Sequence, residues 1–218
     1  SASATLDGMV RVYLSSLGSP TTLTLTVAGS YSLSTGDSLT SGETLTVGFS
    51  SSTGAITLTR NGVKTNMGTY FALKRHSASG TNGIKITQAR KPGNPYPGDI
   101  SFQSVQLSGG TYKLYTVAHV YIEDYLYGVV PYEMGNSAPA EALKAQAVAA
   151  RTYTVRMMNA RSYGYYDVVD TTGDQTYNGT PTGYDACEAA VNATKGVVLK
   201  NGSSYTATYY SADRKSVV

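Results

Sequence analysis

The chain has no tryptophan, only three phenylalanines and two histidines, and a single cysteine, Cys187. One thiol excludes an internal disulfide, and a cysteine-poor chain fits the cytosol and a Gram-positive exterior equally well. His76 and His119 lie far from Cys187 in sequence, which argues against a Cys/His metal site and against a cysteine peptidase pairing. Asp167, Asp170 and Asp174 lack calcium-loop spacing and read as loop and turn residues. No phosphate loop and no Gly-x-Ser-x-Gly elbow occurs. No metal and no cofactor are therefore expected. Cys187 shares a helical face with Ala190, Val191 and Thr194 and reads as a small buried apolar residue.

Charge is also scarce. Charged residues make up 14% of the chain, against roughly 25% in an average soluble domain. The formal net charge is +3, and Lys and Arg never run beyond two in a row. Nucleic-acid binding calls for a basic stripe, so no nucleic-acid partner is expected. A mild positive balance suits an anionic polymer such as a bacterial wall, and ordinary surface charge explains it as well. No stretch approaches the roughly 18 apolar residues of a membrane span. The opening Ser1-Ala-Ser-Ala has no leader character and reads as a mature end, with an extracytoplasmic protein, secreted or held in the cell wall, as the expectation.

What the chain has is Ser, Thr, Gly and Tyr around a 41% hydrophobic content, enough for one domain or two lobes. Met9–Leu14, Thr22–Val27, Thr44–Phe49 and Ala55–Thr59 alternate with a period of two and are separated by turn residues such as Asn61-Gly62. Ile84–Thr87 is a further short strand, and residues 90–99, with three prolines, form a loop. Ile100–Leu107 and Thr111–Val120 read as a hairpin around Ser108-Gly109-Gly110. The period then changes. Tyr121–Val130 has helical spacing and acidic residues in its first turn, with Pro131 expected to interrupt it. An alanine-rich helix is expected from Pro139 to about Asn159, with Pro139 in its first turn. A third is expected over Tyr184–Thr194, with Gly196 as its C-cap. A hairpin around Asn201-Gly202 closes the chain. The fold class is α+β: a strand-rich antiparallel lobe over 9–107, then a lobe over 111–211 with two to three helices and a C-terminal hairpin.

Chemistry concentrates in Val129-Val130-Pro131-Tyr132-Glu133-Met134. If this apolar run buries Glu133, desolvation favours its protonated form, and such an acid donates a proton and then recovers it as a base. A glutamate after a proline is more commonly an ordinary surface residue. On the next helix Lys144 and Arg151 are seven residues apart, so they point within about 20° of each other. Two cations on one face suit acidic or polar groups of a polymer, and a solvated helix face has the same spacing.

The run Val120-Tyr-Ile-Glu-Asp-Tyr-Leu-Tyr-Gly-Val-Val-Pro-Tyr-Glu-Met134, with Glu141-Ala-Leu-Lys-Ala-Gln-Ala-Val-Ala-Ala-Arg-Thr-Tyr153, resembles the stage II sporulation protein D family, which includes the LytB-type amidase enhancers. Asp170-Thr-Thr-Gly-Asp-Gln-Thr-Tyr177, Ala193-Thr-Lys-Gly196 and Ala207-Thr-Tyr-Tyr-Ser211 extend the resemblance over about residues 96–211. It implies a lytic transglycosylase that cuts peptidoglycan glycan strands between N-acetylmuramic acid and N-acetylglucosamine and leaves a 1,6-anhydro sugar. On this resemblance Glu133 is the catalytic acid/base. Lys144, Arg151, Gln175, Tyr177 and Tyr210, or its neighbour Tyr209, are substrate-binding. Some members carry a zinc-associated cysteine where this chain has Asp174. The family also continues past the Tyr-Tyr-Ser segment into a glycine-rich stretch, whereas this sequence ends at Val218. A second expectation remains open: a non-catalytic wall-binding module whose partner is a cell-wall amidase.

One carboxylate suffices for the implied reaction because the muramic C6 hydroxyl attacks its own anomeric carbon, where ordinary glycosidases need a second acid for water or a nucleophile. Twelve of the nineteen tyrosines fall between Tyr112 and Tyr184. Tyrosine offers a flat apolar face and a hydrogen-bonding tip suited to pyranose rings. Tyr125 is expected in the core, and Tyr132 and Tyr177 are the candidates for glycan contact.

Overall fold

The computed structural model describes residues 8–77, 82–201 and 204–205. The chain divides into two compact units, one of Val12–His119 and one of Ser1–Arg11 with Val120–Val218. The fold is α+β, with antiparallel sheets and, among the described residues, three α-helices.

The first unit is built of strands, several of which follow the alternation of the sequence. In chain order they are β1 (Met9–Tyr13, shared with the other unit), β2 (Thr22–Ala28), β3 (Tyr31–Leu33), β4 (Ser38–Leu39), β5 (Thr44–Phe49), β6 (Ile56–Arg60), β7 (Val63–Gly68), β8 (Tyr70–Arg75), β9 (Gly83–Ile86), β10 (Asp99–Gln106) and β11 (Tyr112–Tyr121). One sheet runs β7-β6-β5-β2-β9. Its register sets Leu25 opposite Leu45 and Ile86, and Val47 opposite Leu23 and Leu58. All of these side chains are buried, each worth about 1.5–3 kcal/mol relative to exposure, while the intervening threonines face outward. The second array runs β11-β10-β8-β3-β4. Phe71 and Phe102 stack in its core with ring centroids 4.8 Å apart. The Tyr31 hydroxyl donates to the Gly98 carbonyl at 2.6 Å, and burial pushes the phenol well above its ordinary range.

The second unit holds α1 (Ile122–Met134), α2 (Ala140–Ala160), β12 (Val168–Val169), α3 (Asp185–Ala193), β13 (Lys200–Asn201) and β14 (Ser204–Tyr205). The three helices pack on one another through Leu126, Val129 and Val130 of α1, Leu143, Ala147 and Ala150 of α2, and Cys187, Ala190 and Val191 of α3. β13 and β14 pair as the expected hairpin, Lys200 opposite Tyr205.

Two boundaries differ from expectation. Pro131 lies inside α1 and does not end it. A proline removes one bond of the helical ladder, and here only one turn follows, closed by the Gly135 N–H donating to the Pro131 carbonyl at 3.0 Å. The consequence is that Glu133 sits in the last helical turn. Pro139 is the residue before α2, one position outside the expected first turn, with its carbonyl accepting from Leu143 N–H.

Candidate functional site

Glu133 is half-buried between half-buried Tyr132 and Met134 at the C-terminal end of α1. A helix C-terminus presents its last carbonyl oxygens to their surroundings. Tyr132 is therefore partly accessible beside the acid.

The two cations of α2 have different surroundings. Lys144 is near the surface, with Nζ 3.1 Å from the exposed carboxylate of Glu141, one turn away. Arg151 has no exposed surface. Its Nη2 and Nε donate to Glu123 at 2.9–3.3 Å. Its other donors reach the Val197 carbonyl at 3.0 Å, the Val191 carbonyl at 3.3 Å and the Thr194 hydroxyl at 3.4 Å. Glu123 also accepts the N–H of Gly196 at 2.9 Å. Expected to face substrate, Arg151 instead ties the first turn of α1 to the end of α3. Its planar fork and five donors are the property a buried junction of this kind uses.

Gln175 and Tyr177 are also interior. Gln175 Oε1 accepts from the Tyr125 hydroxyl at 3.0 Å and from Thr154 at 3.3 Å, and its amide donates to the Ala150 carbonyl at 3.3 Å. Tyr177 has no exposed surface, and its ring packs at 4.9 Å, tilted, on Tyr125. Gly128 of α1 lies against this ring: a Cβ there would stand 2.5 Å from Tyr177 Cε1 and 2.4 Å from the Gly179 carbonyl oxygen. The pair thus holds the loop after β12 onto α1 and α2. Tyr210 and Tyr209 lie outside the described residues.

Sequence reasoning missed the partners of the loop acids. Asp167 and Asp174 are buried and each receives an arginine, Arg11 and Arg161, at 2.9 Å. Asp174 further accepts from Val169 N–H at 2.7 Å and from the Tyr153 hydroxyl. Burial, then the bond to Asp174, pushes the Tyr153 phenol above its ordinary range. Glu123 was legible only as a first-turn acid; nothing in the sequence links it to Arg151. Cys187 is buried and free, with its thiol pushed up by burial and then by the charge of Glu188. Among the described residues, no three His, Cys, Asp or Glu side chains gather as a metal site, and no helix is long and apolar enough to cross a membrane.

Residues 111–200, less than half of the chain, match the family model described as SpoIID, stage II sporulation protein. An uncharacterized protein of Brachyspira hyodysenteriae is 45% identical over 93 residues, 42% of this chain and 25% of that one. An amidase enhancer of Bacillus subtilis is 46% identical over 89 residues, 40% of this chain and 12% of the relative. A stage II sporulation protein D of Bacillus amyloliquefaciens is 50% identical over 48 residues, 22% and 14%. The chain thus spans a quarter or less of the length of these relatives. No solved structure matches.

Proposed function

Since residues 111–200 belong to the stage II sporulation protein D family, we propose that this chain acts on peptidoglycan glycan strands as a lytic transglycosylase with Glu133 as its acid/base. The observation that supports this most directly is the position of Glu133. It is half-buried in the closing turn of a helix beside half-buried Tyr132, partly screened from water and still within reach of a polymer at the surface.

In this reading Glu133 protonates the glycosidic oxygen as the bond to the muramic anomeric carbon breaks. The C6 hydroxyl of the same sugar attacks that carbon, and the Glu133 carboxylate takes its proton. The acid is regenerated and water does not enter. Lys144 supplies positive charge for the polymer at the surface. Arg151, Gln175 and Tyr177 act from inside, as positioning residues that fix α1 against α2.

The test is digestion of purified peptidoglycan, native and peptide-stripped, with mass spectrometry of the products. 1,6-Anhydro termini are expected from the wild type and at least about a hundredfold fewer from Glu133→Gln. Equal release by the two proteins removes the mechanism. The relative named amidase enhancer favours a second reading, a wall-binding partner of a cell-wall amidase that works outside the cytoplasm. Stimulation of an amidase that survives Glu133→Gln, without anhydro products, selects it.

A further inference from the structure

At the far end of α2 the chain turns through Arg161-Ser162-Tyr163-Gly164-Tyr165 before entering β12. This turn is unusually well held for so exposed a segment. The guanidinium of Arg11 donates to the carbonyls of Gly164 at 2.7 Å, Arg161 at 3.1 Å and Ser162 at 3.4 Å, and to Asp167 at 2.9 Å. Arg161 in turn donates to the Asp167 carbonyl at 3.1 Å and to both oxygens of Asp174. Four carbonyls and two carboxylates thus fix the backbone, yet the aromatic residues they carry point outward. Tyr163 is 104% exposed and Tyr165 is 46% exposed.

The charges are sorted as well. In the Arg161–Asp174 pair the arginine side chain is 40% exposed and the aspartate 2%; in the Arg11–Asp167 pair the values are 27% and 5%. Both carboxylates face inward and both cations outward, and residues 156–166 contain no acid. Among the described residues no bond reaches Nε or Nη2 of Arg161, the planar edge that suits a carboxylate. A partner therefore meets two phenol rings and positive charge. The exposed sequence neighbours of the rings are Asn159, Ala160, Ser162 and Gly164, with Met157, Met158 and Tyr166 half-buried. Exposed tyrosine faces suit the faces of sugar rings, and outward arginines suit carboxylates on the same polymer.

We propose that the Arg161–Tyr165 turn is an anchoring site for a carboxylate-bearing glycan chain, separate from the Glu133 region. Helical rise along α2 places this turn about 25 Å from Lys144, the other cation proposed to meet the polymer. The choice of wall glycan rests on the proposed function, while the anchoring itself does not require that Glu133 act.

The experiment is co-sedimentation of the full chain with purified sacculi, before and after removal of phosphate polymers, at 4 °C and at two salt concentrations. Wild type, Glu133→Gln, the double variant Tyr163→Ala/Tyr165→Ala and the double variant Tyr163→Phe/Tyr165→Phe are compared. Thermal unfolding checks that the fold is kept, as both side chains are exposed. Alanine is expected to weaken binding at least about fivefold, phenylalanine and Glu133→Gln to retain it, stripped sacculi to bind as well as native, and added salt to weaken binding. Undiminished binding by the alanine variant overturns the proposal. So does loss of binding on phosphate removal, which assigns the site to phosphate polymers. So does failure of the wild type to bind sacculi, including the case in which it binds an acidic protein.

Discussion

Arg151 Nη2 lies 2.9 Å from Glu123 Oε2 with no part of the arginine side chain exposed. One guanidinium therefore joins α1, α2 and the end of α3. Removing it takes the charged partner from Glu123, which keeps the Gly196 N–H, and takes the guanidinium donor from the Val197 carbonyl. Breaking a buried pair from one side costs about 3–5 kcal/mol. The Glu123 side chain retains some exposure and can rehydrate, which places Arg151→Met at about 3 kcal/mol, the lower end of that range. Urea unfolding measures it. Arg151→Lys should recover less than half of the loss, because one ammonium cannot reproduce the fork.

The contrast between Arg151 and Glu133 shows what the sequence carries. Elements with a clean period were legible: the alternation of Thr22–Ala28 and Thr44–Phe49 reappears as strands with Leu and Val inward, and the alanine-rich run became α2. Strand β7, exposed along most of its length, and strand β8, with Phe71, Ala72 and Leu73 all buried, lack alternation and escaped that reading. Spacing put Lys144 and Arg151 on one side of a helix, but it carries no information about what covers that side. The pairings Glu123–Arg151, Arg11–Asp167 and Arg161–Asp174 join residues 28, 156 and 13 positions apart. No local pattern announces such pairs; tertiary packing creates them.

In the strand-rich unit, Glu43 accepts from the Arg60 guanidinium. That bond is the largest influence on the Glu43 carboxyl and holds it below the usual range, against the opposing effect of burial. The folded value is thus lower than the unfolded one, near 4.3. The stabilisation is present in full above the unfolded value and is lost as pH falls through the folded one. Urea midpoints of wild type and Glu43→Gln should differ most at pH 6–7 and converge below about pH 4. A difference that is constant down to about pH 3 removes the ion pair as the cause.

Cys187 is enclosed on α3, with its thiol near the Gly135 carbonyl at 3.6 Å and the thiolate disfavoured by burial and Glu188. A disulfide reagent needs both access and thiolate. Native protein should react at least about a hundredfold more slowly than the unfolded chain, with a rate that rises with urea as local opening becomes easier. Rapid labelling in the absence of denaturant would show that α3 leaves its seat under native conditions.

Gly128 carries the last prediction. An added methyl meets the Tyr177 ring at 2.5 Å and the Gly179 carbonyl oxygen at 2.4 Å, distances that force movement of the loop holding Gln175. Overpacking of this kind costs about 1–3 kcal/mol. Because one obstacle is a side chain and the other is backbone, a double-mutant cycle separates them. Tyr177→Leu alone leaves a cavity and destabilises. Combined with Gly128→Ala it should cost less than the sum of the singles, by about 0.5–1 kcal/mol, with the Gly179 carbonyl preventing full rescue. Strict additivity would mean that the ring yields freely and that the backbone alone sets the close approach of α1 to this loop.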